Sequence, residues 1–104
     1  MANFQVKNPE ETEVLGEIEL TDPGDVAAIV EKARAARKSW SSRTVAERAA
    51  CLDAAADSLV PHKEELAKLL AAESGKPIAQ SDFAVGGGID FLHGNAEEGR
   101  RLAG

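Results

Sequence analysis

Pro61-His62-Lys63-Glu64-Glu65-Leu66-Ala67-Lys68-Leu69-Leu70-Ala71-Ala72-Glu73-Ser74-Gly75-Lys76-Pro77 reads as one complete helix with both ends marked. Pro61 suits a helix start, because a first-turn N–H has no intrahelical partner to lose. Glu64 and Glu65 follow where negative charge meets the positive end of the helix dipole. Leu66, Leu69 and Leu70 recur three and four residues apart, which places them on one inward face. Gly75 supplies a left-handed terminating residue, Lys76 complements the negative end, and Pro77 forbids continuation. These signals predict a helix over 61–74.

Working upstream, Pro61 also ends a preceding helix over 44–60, with Ser42 or Thr44 as its cap and Val45, Ala49, Leu52, Ala56 and Leu59 as its stripe. Before that, Thr21-Asp22-Pro23-Gly24-Asp25 opens a helix over 23–40. Asp22 can cap it, Pro23 suits its first position, and Asp25 favours its positive end. Val26, Ile29, Val30, Ala33 and Ala36 or Arg37 keep helical spacing, Trp40 lies one turn further, and Ser39, Ser41 and Ser42 mark the end. At the start of the chain, Phe4-Gln5-Val6-Lys7 alternates apolar and polar and meets the turn signal Asn8-Pro9. Val14, Gly16, Ile18 and Leu20 alternate with Leu15, Glu17 and Glu19, so residues 4–20 form a hairpin joined by the acidic segment Glu10 to Glu13. An isolated two-stranded hairpin is barely stable in water, so this one is expected to lie against something.

Downstream, a fourth helix is expected over 78–102, with Ile78, Val85, Ile89, Leu92 and Ala96 at helical spacing. Gly86-Gly87-Gly88 interrupts it, and three glycines cost roughly 3 kcal/mol against alanine in a helix interior. Such a helix persists only where tertiary packing supports it. The fold class is therefore predominantly α with a short N-terminal β-hairpin, in one domain or part of one.

Composition narrows the function. At 104 residues a folded chain buries only about two-thirds of its extended surface. Much of the 43% apolar share is alanine, and the aromatics are one Trp and three Phe. Alanine buries little area, so the elements either pack very closely or depend on something outside the chain. The net charge of −6 argues against nucleic acid and anionic membrane, both of which need clustered Lys and Arg. The basic run Arg34 to Lys38 alternates with alanine and reads as a solvated helix face. The start of the chain lacks the pattern of a secretory signal, and no stretch approaches the ~18 apolar residues of a membrane span. A cytoplasmic protein is expected.

Candidate chemistry is thin. The lone Cys51, among Ala49, Ala50 and Leu52, reads as a small apolar core residue rather than a reactive thiol, and it excludes an internal disulfide. His62 lies at a helix start, and His93 lies late in the last helix. Neither has a second histidine three or four residues away, so no metal pair is read at either. Gly86-Gly87-Gly88 lacks the G-x-G-x-x-G spacing and the preceding strand of a dinucleotide loop, so a close helix contact or a widened pocket wall is the better reading. Asp82 and Asp90 are too scattered for a paired acid and base. No catalytic, cofactor-binding or metal-ligating set is assigned.

Several short motifs nevertheless come in a familiar order. Asn8-Pro9, then Glu13-Val14-Leu15-Gly16-Glu17-Ile18, resembles a hairpin written N-P-x-T-G-E-V-I-G-E-V, with Glu11 and Thr12 standing in place of Thr-Gly. Asp25-Val26-Ala27-Ala28-Ile29-Val30 with Ala33, Ala36 and Trp40 resembles a first helix and its closing tryptophan. Ala46-Glu47-Arg48-Ala49, Leu52 and Ala55-Ala56-Asp57-Ser58-Leu59 resemble a second. Glu64-Glu65-Leu66-Ala67 followed by Glu73-Ser74-Gly75-Lys76-Pro77 is the nearest match. Together they make the chain similar to the aldehyde dehydrogenase family along nearly its whole length.

The resemblance implies the N-terminal part of the α/β aldehyde dehydrogenase fold, a hairpin followed by about four helices. The full-length enzymes oxidise an aldehyde to a carboxylic acid, or a thioester in some members, with NAD or NADP. A cysteine thiolate attacks the aldehyde, and a glutamate activates water. An asparagine and a backbone N–H hold the oxyanion. By resemblance these residues and most cofactor contacts lie downstream of Gly104, and Cys51 does not correspond to the nucleophile. The segment is thus expected to lack activity and cofactor by itself, with the remainder of an aldehyde dehydrogenase, or another copy through exposed apolar faces, as its partner. The family's last helix in this region walls the substrate tunnel, which makes Gly87, Gly88, Phe91 and Asn95 tunnel candidates. Many members carry bulky residues around the positions of His93, Gly94 and Asn95, so a roomier or more polar tunnel mouth is implied here. The competing reading is a non-catalytic helical interaction module derived from that family.

Overall fold

A computed structural model describes residues 2–102. Strands β1 (Asn3–Lys7) and β2 (Val14–Glu19) pair antiparallel, and helices α1 (Val26–Ser41), α2 (Val45–Leu59), α3 (Lys63–Ser74) and α4 (Ile78–Leu102) follow. The predominantly α fold with an N-terminal hairpin is what the sequence pattern implies.

In the hairpin Phe4 faces Ile18 and Val6 faces Gly16, but Lys7 faces Val14, so the register slips by one and Leu15 has no partner. Asn8 builds the turn. Its Oδ1 accepts from the backbone N–H of Thr12 at 2.9 Å and of Glu13 at 3.0 Å, while its Nδ2 donates to Thr12 Oγ1 at 2.8 Å. Glu11 is held there at φ 56, a left-handed conformation that costs a side chain energy and suits glycine better.

The helix ends show their causes. The segment expected as one helix from residue 23 opens instead with a separate 3-10 turn, Pro23–Asp25, in which Asp22 accepts from Gly24 N–H. At the other end of α1 the hydroxyls of Ser39, Ser41 and Ser42 donate back to main-chain carbonyls and close the helix. Thr44 and Glu47 form a reciprocal capping box at the start of α2. Pro61 lies in a 3-10 turn, Val60–His62, so α3 starts at Lys63 rather than at the proline. Gly75, at φ 74, terminates α3 as a left-handed cap, and its N–H donates to Ala71 C=O at 2.9 Å.

Among the described residues only α2, α3 and α4 supply buried ones: Ala49, Ala56, Ala67, Ser81, Ile89 and Ala96. Five of the six are small, so α4 lies close against α2 and α3 on short side chains. Gly86 extends this closeness. A Cβ there would meet Lys63 Cε and Nζ at 3.2 Å. The triple glycine does not break α4, because the helix is anchored on both sides, at Ser81 and Val85 before it and at Ile89, Leu92 and Ala96 after it. Two expected inward residues face solvent instead: Ile78 and Leu69 are exposed, because the α3–α4 contact runs through Ala67 and Ser81.

The hairpin and α1 add no buried residue to this core. No residue of α1 is buried, and Phe4, Ile18, Val26, Ile29 and Val30 are all exposed. The radius of gyration is 17.8 Å, against about 13 Å for a compact chain of this length. Among the described helices none is long and apolar enough to cross a membrane.

Candidate functional site

Helix α4 has two faces with different contents. Its inner face carries His93 and Arg100 toward α2. His93 Nδ1 lies 2.7 Å from Asp53 Oδ1, and its Nε2 lies 3.2 Å from Asp57 Oδ1. Arg100 Nη2 donates to the other oxygen of Asp53 at 2.7 Å, while Nη1 donates to Glu97 at 2.8 Å. Asp53 therefore joins His93 and Arg100 of α4, one through each carboxylate oxygen. The hydrogen bond from His93, with that from Arg100, holds the Asp53 carboxyl below its usual pKa. The same bond to Asp53 raises the His93 imidazole above 6.5, against an opposing desolvation effect.

This cluster is not laid out as an acid–base catalyst. Both ring nitrogens of His93 meet carboxylates, which leaves none free to take a substrate proton. Cys51 is half-buried, and its polar partner is Arg43, whose Nη1 lies 3.7 Å from Sγ. The cluster ties α4 to α2, as structural ion networks do. The linear sequence hid it because 40 residues separate Asp53 from His93. The available signal was Asp53 and Asp57 on one face of α2, with His93, Glu97 and Arg100 on one face of α4.

The outer face of α4 carries the four tunnel candidates. Gly87, Gly88, Phe91 and Asn95 fall three and four residues apart on one exposed strip. Open space surrounds Gly87 and Gly88, where an added Cβ would meet nothing within 4 Å, so the close helix contact expected of this run holds only at Gly86. Phe91 is 72% exposed, and Phe83, two turns before it, is 82% exposed. Asn95 Nδ2 donates to Phe91 C=O at 2.8 Å. Gly94 also faces open space, whereas His93 turns to α2 and leaves this strip. Asn95 borders a groove of about 450 Å³ between α2 and α4, with Trp40, Val45, Arg48, Leu52 and Leu102 on its walls. Arg48 Nε is buried there without a hydrogen-bond partner among the described residues.

The family model of the aldehyde dehydrogenases matches residues 1–104. The chain belongs to the aldehyde dehydrogenase family. It is 35% identical over 101 residues to 3-sulfolactaldehyde dehydrogenase of Pseudomonas putida, covering 97% of this chain and 21% of that protein. It is 33% identical over 101 residues to the mitochondrial succinate-semialdehyde dehydrogenase of Oryza sativa subsp. japonica, covering 97% of this chain and 19% of that protein. Betaine aldehyde dehydrogenase of Vibrio vulnificus strain YJ016 is 38% identical over 90 residues, covering 84% of this chain and 18% of that protein. The chain thus spans about a fifth of the length of these curated relatives.

Within this aldehyde dehydrogenase segment the described residues do not fit a dinucleotide cradle. Gly86-Gly87-Gly88 lie inside α4, preceded by helix rather than strand, and their N–H groups belong to the helical ladder. No cluster of three or more His, Cys, Asp or Glu able to hold a metal ion occurs among the described residues.

Proposed function

We propose that this chain is the N-terminal segment of an NAD(P)-dependent aldehyde dehydrogenase, without catalytic competence of its own, whose chemistry comes from the polypeptide that packs on it. The observation that carries the reading is the full-length family match combined with coverage of only about a fifth of the relatives. The physical structure supports it. The hairpin, α1 and the outer face of α4 leave Phe4, Ile18, Ile29, Val30, Phe83 and Phe91 uncovered, more large apolar side chains than a surface facing water alone requires. The partner of these faces is the rest of an aldehyde dehydrogenase, in one polypeptide or as a separate subunit.

In that assembly the strip of Gly87, Gly88, Phe91 and Asn95 faces the substrate tunnel. Its glycines leave room, and Asn95 offers an amide at one end. Tyrosine at Gly94 or Asn95 in the full-length enzyme shifts preference toward smaller aldehydes; an unchanged substrate profile removes the tunnel assignment.

The whole reading is tested by assaying aldehyde-dependent reduction of NAD and NADP by the chain alone and after adding a separately expressed downstream polypeptide. The chain alone is expected to be inactive, and the mixture active. Turnover by the chain alone overturns the reading. A stable complex without activity favours the interaction module.

A further inference from the structure

The placement of His93 between two carboxylates has a consequence for protonation. A neutral imidazole has one N–H and one lone pair, so it can donate to only one of Asp53 and Asp57. The other ring nitrogen then points a lone pair at a carboxylate oxygen, at 2.7 Å or 3.2 Å. Only the imidazolium, with two N–H groups, donates to both. Arg100 holds the remaining oxygen of Asp53, so that carboxylate cannot turn away without losing a charged contact of 2.7 Å. We propose that Asp53, Asp57, His93 and Arg100 form a proton-operated clamp that seats α4 on α2, closed when His93 carries its second proton and slackened when it loses it.

The groups that face His93 set the sign. From α2 these are Asp53 and Asp57, both acidic. On α4 itself, Asp90 and Glu97 lie one turn to either side and Arg100 two turns on. From α3, Lys63 meets Asp82 at 3.8 Å and lies beside Gly86, two turns away from His93. Acidic neighbours therefore outnumber basic ones around the ring, in keeping with an imidazole shifted above 6.5. A raised histidine contributes stability that is complete below its unfolded value and fades as pH rises through its folded one. Asp53, shifted below 3.8, works in the opposite sense: its contribution is present above that value and fades as pH falls through the lowered one. The clamp is thus closed between about pH 4 and pH 6.5 and loosens above that window as His93 titrates. Because α4 also carries the strip from Gly87 to Asn95, the clamp governs how firmly that strip is held.

The experiment uses the 104-residue chain. Thermal midpoints are measured from about pH 5 to about pH 9 for the unchanged chain, His93→Gln and Asp57→Asn, alongside an NMR titration of both imidazoles. The unchanged chain is expected to lose several degrees on the alkaline side, and His93→Gln to lose most of that dependence. The His93 resonance is expected to titrate above 6.5, and at lower pH in Asp57→Asn than in the unchanged chain. The same alkaline loss in His93→Gln overturns the clamp. So does a His93 resonance that titrates below 6.5, a reading that needs no variant to fold.

Discussion

Ile89 and Phe91 lie two positions apart on α4, and the fold assigns them opposite energetic roles. Ile89 is 7% exposed and is the one large aliphatic side chain among the buried described residues, whereas Phe91 is 72% exposed. Ile89→Ala removes three buried carbons, worth about 0.8 kcal/mol each in transfer, and leaves a cavity that raises the total to about 3 kcal/mol. Against a domain stability of roughly 5–15 kcal/mol, with a small core placing this chain near the lower end, that is a large fraction. At about 4–8 °C per kcal/mol, the thermal midpoint falls by about 12–24 °C. Ile89→Val, which removes one methyl, costs about 1 kcal/mol. Phe91→Ala removes a larger side chain and costs nothing measurable in the isolated chain. Alanine is the better helix former, so that variant is neutral or gains roughly 0.5 kcal/mol. Far-UV circular dichroism melts of the three variants read the difference directly. If Phe91→Ala is as damaging as Ile89→Ala, the outer face of α4 is already covered and the reasoning fails. It fails equally if Ile89→Ala costs under about 1 kcal/mol.

The turn and cap chemistry gives further expectations. Glu11→Gly relieves the left-handed strain at φ 56 and stabilises by about 1 kcal/mol, less the entropy glycine adds to the unfolded chain; a destabilised variant in urea titration contradicts this. Asn8→Ala removes the acceptor of two backbone N–H groups and frays the hairpin, seen as faster amide exchange at Thr12 and Glu13 with α2–α4 exchange unchanged. Thr44→Ala breaks the capping box and costs about 1 kcal/mol, measured by urea unfolding. With so much apolar surface uncovered, the isolated chain self-associates as its concentration rises, and sedimentation equilibrium showing a strict monomer at millimolar concentration argues otherwise.

The helices were legible because their punctuation is local. Gly75 with Pro77 and Asp22 with Pro23 each act within one turn of chain, so a linear reading finds them, and it offers Thr44 as one of two caps for α2. The triple glycine disfavours a helix by local preference, and α4, expected over 78–102 where packing supports it, persists through contacts that α2 and α3 supply from elsewhere. Ile78 and Leu69 look inward by periodicity but fall outside a contact that the small residues Ala67 and Ser81 occupy. The least legible feature is the cluster around His93. Neither Asp53 nor His93 has a distinctive local pattern, and only the packing of α2 on α4 brings them to 2.7 Å. The tunnel candidates came from resemblance to the family. The fold shows them sharing an exposed strip of α4, with Asn95 at its border with the α2–α4 groove.

Solvent access to Phe83 and Phe91, before and after a downstream aldehyde dehydrogenase polypeptide is added, tests this most directly. Hydroxyl-radical footprinting of the two rings is expected to show strong labelling in the isolated chain at low concentration and loss of labelling in the assembled, active enzyme. Rings that stay fully labelled in an active assembly would mean that the outer face of α4 is not where the rest of the enzyme packs.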